Sequence, residues 1–98
     1  MVHVLVRHKV QDYNRWRAAF DEALLMRRTA GEISSRVFRN HDNGNEVSLL
    51  CDFDSFDHAR DYLDSEELEI AMRMAGVVDK PRVEYLYEAV TMRRTAAD

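Results

Sequence analysis

The chain has 98 residues, 46% of them apolar and 33% charged, and a net charge of −4. Those proportions suit one globular domain and exclude a disordered segment; the acidic balance also opposes a binder of nucleic-acid phosphates. No apolar run approaches bilayer length, and the single cysteine, Cys51, forbids an intrachain disulfide. That cysteine usage suits the cytoplasmic location we expect.

Val2–Lys9 alternates, with Val2, Val4, Val6 and His8 on one face and His3, Leu5, Arg7 and Lys9 on the other, which predicts a strand. No basic segment precedes this stretch and no small-residue cleavage site follows it, so a strand is expected rather than a secretion signal. Asp12 offers a helix N-cap. Tyr13, Trp16, Phe20, Leu24 and Met26 follow at spacings that mostly fit a helical stripe, and Gly31 is a stop, giving one helix over about 12–30. Ile33–Asn40 reads as a second strand centred on Val37 and Phe38. His41–Asn45 contains Asn-Gly, the dipeptide of tight hairpins. Glu46–Phe53 is then an antiparallel third strand, with apolar residues on both faces.

Asp54-Ser55 caps the next helix, which carries Phe56, Ala59, Tyr62 and Leu63. Ser65 opens another, with Glu66 and Glu67 in its first turn, where the helix dipole favours anions. Leu68, Ala71, Met72 and Ala75 form its apolar stripe, and Gly76 ends it. Arg82–Val90 is the fourth strand; residues 91–98 form a tail without periodicity.

The order β-α-β-β-α-β predicts an α+β, ferredoxin-like domain over residues 1–90, a four-stranded antiparallel sheet with helices on one face. The other face is bare, yet the strands carry apolar residues at both parities. A homodimer with two such faces packed together, closing an α/β barrel, is expected. The acidic excess falls in the second half: residues 1–45 carry eight Lys/Arg against five Asp/Glu, and residues 46–98 six against thirteen. Its densest stretch, Asp52–Glu69, reads as a solvated helix face, the functional alternative being electrostatic steering of a cationic partner.

The sequence carries few signatures of a specific chemistry. The four histidines are scattered, so no metal site is expected. Cys51, mid-strand beside Asp52, reads as a small buried hydrophobe. No phosphate-cradling glycine loop or nucleophile elbow is present, and neither central strand carries the aromatic pattern of RNA-recognition sheets. What remains is an apolar layer between helices and sheet, for which Trp16, Phe20, Phe38, Phe53, Tyr62 and Met72 are the candidate lining residues. They read equally as ordinary core. Small-molecule sites are themselves mostly apolar with a few orienting polar groups. His8, on the face of Val2, Val4 and Val6, is the polar group to watch, as a general base or hydrogen-bond donor.

The segments VLVRHKV-x-D-Y-x-x-W-x-x-x-F-D, M-R-R-x-x-G, VFRN-x-D-x-x-NEV and EL-x-x-AM-x-x-AGV-x-x-x-P, spread over residues 2–90, resemble small bacterial proteins of the dimeric α/β-barrel superfamily. That group includes antibiotic biosynthesis monooxygenases, some polyketide cyclases, haem-degrading monooxygenases and stress-response barrels. The resemblance implies a homodimer with a pocket for a small hydrophobic or aromatic ligand. It implies no metal, flavin or other cofactor, and a phenolic or polyketide-like substrate that reacts with oxygen once deprotonated. His8 and Tyr62 are then the nearest catalytic candidates. The Asn, Trp and His set of the haem-degrading members is not laid out here, since Asn14 and Trp16 share one helix. The resemblance leaves two functions open: a cofactor-independent monooxygenase or cyclase, and a non-enzymatic binding, stress-response or regulatory barrel.

Overall fold

A computed structural model describes residues 1–94. The elements are β1 (Val2–Lys9), α1 (Tyr13–Glu22), α2 (Leu24–Thr29), β2 (Glu32–Arg39), β3 (Glu46–Phe53), α3 (Phe56–Leu63), α4 (Glu66–Met74) and β4 (Arg82–Leu86). The four strands form one antiparallel sheet in the order β2-β3-β1-β4, with the helices on one face: the expected ferredoxin-like α+β fold.

Local chemistry sets the boundaries. Asp12, Ser55 and Ser65 cap α1, α3 and α4, each side chain accepting a backbone N–H three residues on. Gly31 and Gly76 follow α2 and α4 with φ of +111° and +89°, a region that side chains with a Cβ avoid. Asn45 Oδ1 accepts the Tyr13 N–H at 3.0 Å, tying the β2–β3 turn to the start of α1.

Register sorts the side chains onto two faces. Val4, Val6 and His8 of β1 stand opposite Cys51, Leu49 and Val47 of β3. All six are buried beneath the helices, with Phe53, Trp16, Ala59 and Ala75. The opposite parity, Leu5, Arg7, Leu50, Phe38 and Leu86 among it, faces away from the helices.

Three sequence expectations shift. The first helix is two: the chain breaks at Ala23, where ψ is 8° instead of helical. The buried stripe then runs Trp16, Phe20, Ala23, Arg27 rather than through Leu24, which is 39% exposed. The strand begins at Glu32, not Ile33, and a bulge leaves Ile33 without a partner: Glu32 opposes Phe53 while Ser34 opposes Asp52. The last strand stops at Leu86 rather than Val90. Leu86 already pairs with His3, so β1 has almost no chain left for later residues to pair with. Residues 87–94 have no regular structure, and the rest of the expected tail, 95–98, lies outside the described residues.

Candidate functional site

Between the helices and the sheet lies a cavity of about 120 Å³. Its floor is Val4, Val6, Leu49, Cys51 and Phe53; its walls come from all four helices. Trp16 and Phe20 stack at 5.0 Å between ring centroids along one wall. Tyr62 of α3 packs on Phe53 at 5.9 Å, and Met72 of α4 completes the lining on that side.

The packing of the helices on the sheet thus places five of the six expected lining residues around the cavity with His8. Phe38 is the exception. Its neighbour Val37 opposes Leu49 on the helix side, so strand alternation turns Phe38 to the open face opposite Ser48. There it is 43% exposed, beneath the Arg36 guanidinium at 4.9 Å.

His8 is the unusual member. It is 4% exposed, its ring lies 5.6 Å from that of Trp16, and both ring nitrogens are buried without a hydrogen-bond partner. Burial lowers its pKa below the ordinary histidine value, against a smaller raising effect from Asp79. Near neutral pH the ring is therefore uncharged, with one nitrogen an N–H donor and the other a free acceptor. An unsatisfied buried polar group costs about 1–3 kcal/mol. A ligand group that meets either nitrogen recovers that cost.

A second polar cluster lies at the other end of the β1–β3 pair, and it is internally satisfied. Arg27 and Glu32, both buried, pair through Nε and Oε1 at 3.2 Å. Arg27 Nη1 donates to the Phe20 carbonyl at 2.8 Å, and its guanidinium carbon sits 3.6 Å over the Phe20 ring. Burial pushes the Glu32 carboxyl up, with Arg27 opposing. Burial also pushes the Cys51 thiol to about 12, helped by the Glu32 charge, and the Tyr62 hydroxyl to about 12. Neither loses its proton at neutral pH, so the cavity holds a thiol and a phenol, not a thiolate and a phenolate.

Arg27 and Glu32 were missed by sequence reasoning. Arg27 lies eleven residues after Trp16, a helical repeat of the buried stripe, but its charge argued for the surface. Glu32 is placed by the bulge, which no residue pattern announced. Among the described residues, no three His, Cys, Asp or Glu side chains gather where a metal ion could sit. Among the described residues no helix is long and apolar enough to cross a membrane.

Neither a protein-family model nor a curated protein matches the chain. Solved structures do. A candidate antibiotic biosynthesis monooxygenase from Bordetella bronchiseptica superposes with a TM-score of 0.75 at 15% identity, over 91% of this chain and 97% of that one. SnoaB, a cofactor-independent oxygenase from Streptomyces nogalater, superposes with a TM-score of 0.69 at 14% identity, over 99% and 97%. Rv0793 from Mycobacterium tuberculosis gives 0.66 at 17%, over 94% and 98%. The resemblance read from the sequence thus holds at the level of fold: the chain has the architecture of antibiotic biosynthesis monooxygenase-like structures.

Proposed function

We propose that this protein binds a small phenolic aromatic molecule in the helix–sheet cavity and oxidises it with molecular oxygen, without a cofactor. The observation that carries the reading is the buried, unpartnered His8 imidazole in a mostly apolar cavity. The likeness of the fold to a cofactor-independent oxygenase supports it.

The chemistry balances without an external reductant. The acceptor nitrogen of neutral His8 takes the phenolic proton, and the electron-rich phenolate then reacts with oxygen. For a phenol with a free para C–H, the ring supplies four electrons. One oxygen atom becomes the new para carbonyl, and the other leaves as water with the para hydrogen and the hydroxyl proton. The product is the para-quinone. Tyr62, held protonated, suits a donor role and not that of the base. Homodimerisation through the open sheet face belongs to the same reading. Leu5 and Leu50 are cross-strand partners at its centre, with Phe38 and Leu86 exposed nearby.

A second reading, ligand binding without turnover, is favoured by one observation: among the described residues, His8 is the sole side chain in the cavity with buried polar atoms lacking a partner. Oxygen uptake separates the two. Phenols with a free para position should give enzyme-dependent uptake that His8→Phe lowers at least tenfold. Binding without uptake selects the second reading; uptake unchanged in His8→Phe refutes the assignment of the base.

A further inference from the structure

We infer that the preferred ligand of this cavity is a neutral, single-ring phenol. The inference rests on the pocket reading above and adds the ligand's size, charge and anchoring atom.

Size comes from the volume. The cavity is about 120 Å³. An apolar protein cavity of about 150 Å³ accepts benzene, so this space takes one six-membered ring with small substituents. By that comparison a second fused ring exceeds the space. Toward an outer groove of about 550 Å³ the cavity shares Leu63, Leu68 and Met72 as a common wall, and Phe20, Arg27, Met26, Tyr62 and His8 also border grooves outside it. A longer polycycle would have to displace side chains of one of these walls.

Charge comes from the polar groups. The guanidinium of Arg27 already holds Glu32 and the Phe20 carbonyl, and its carbon sits 3.6 Å over the Phe20 ring, so it offers an incoming anion a compensated partner. His8 is deeply buried and carries no partner of its own. A carboxylate entering here would lose its hydration without gaining a countercharge. A hydroxyl suits the site: it donates to one imidazole nitrogen, while the apolar walls take the ring.

The test is a calorimetric binding series on the wild-type protein at pH 7.5: o-cresol, toluene, o-toluate, 1-naphthol and a three-ring anthrone. The expected result is that o-cresol binds at least tenfold more tightly than each of the others. Tenfold over toluene corresponds to about 1.4 kcal/mol for the hydroxyl–His8 hydrogen bond. In His8→Phe, the preference for o-cresol over toluene should vanish while toluene still binds. His8→Gln, which keeps a donor and an acceptor, serves if that variant does not fold and should retain the preference. Tighter binding of 1-naphthol or the anthrone overturns the size inference while leaving the pocket reading intact. Toluene or o-toluate binding as well as o-cresol overturns the anchoring or the charge inference. Binding of none of the five overturns the pocket reading itself.

Discussion

Replacing Arg27 by Met should be among the most damaging single changes in this chain, through the charge it strands. Arg27 and Glu32 are 6% and 8% exposed, and their ion pair lies under the helices. Methionine fills much of the arginine stem's space, so little packing is lost. What is lost is the countercharge of a buried carboxylate, together with the donor to the Phe20 carbonyl. Stranding one member of a buried pair costs about 3–5 kcal/mol. With about 4–8 °C per kcal/mol in a domain of this size, the melting temperature should fall by at least about 12 °C. The cost should also depend on pH with a definite sign. Burial already raises the Glu32 carboxyl above its ordinary value, and removing Arg27 raises it further. A raised carboxyl holds its proton in the folded state after the unfolded chain has released it. The variant should therefore regain stability as pH falls from 8 toward 5, and lose it as pH rises through the folded pKa. Urea unfolding at several pH values measures this. The double variant Arg27→Met with Glu32→Leu should return most of the loss, because a buried pair exchanged for apolar groups of similar volume is close to neutral. A loss under about 1 kcal/mol in the single variant, or no recovery in the double, would refute the reasoning.

Other consequences follow from the same structure. Cys51, buried with its thiol raised to about 12, should resist thiol reagents at pH 8 in the native protein and react at the rate of unfolding; rapid labelling would contradict its placement. Gly31→Ala should cost about 1–3 kcal/mol, since φ is +111° and an added Cβ would stand 2.6 Å from Asp54 Oδ1; thermal unfolding reads the loss. His8 has a lowered pKa, so protons favour the unfolded state, and wild-type stability should fall as pH drops below the ordinary histidine value of about 6.5. His8→Phe should flatten that part of the profile; an unchanged slope would mean that the histidine is not buried neutral.

Much of this architecture was legible because several local signals agreed. Alternation in β1 and β3, three side-chain caps and two helix-ending glycines all point to the same element order. What escaped notice required tertiary information. The break at Ala23 has no residue signature, because alanine is the best helix former. Arg27 sits on the buried stripe, but a charged residue is expected outside unless its partner is known, and Glu32 reaches that partnership only through the bulge at Ile33. Phe38 was drawn into the cavity by its aromatic character, although its place next to Val37 already put one of the two on the far face. His8 was legible as the polar end of an apolar strand face. That both of its nitrogens are left without a partner is visible only in three dimensions.

The central claim is that His8 is the neutral, ligand-facing group of the cavity, and nitrogen NMR of histidine-labelled protein tests it most directly. Titrated from pH 8 to 5, His8 should stay neutral below pH 6.5, while His58, raised by its hydrogen bond to Asp54, should protonate first. Addition of o-cresol at pH 7.5 should then shift the His8 nitrogens and leave those of exposed His41 and His58 in place. A His8 that titrates at the ordinary value and is unmoved by every phenol would contradict the account.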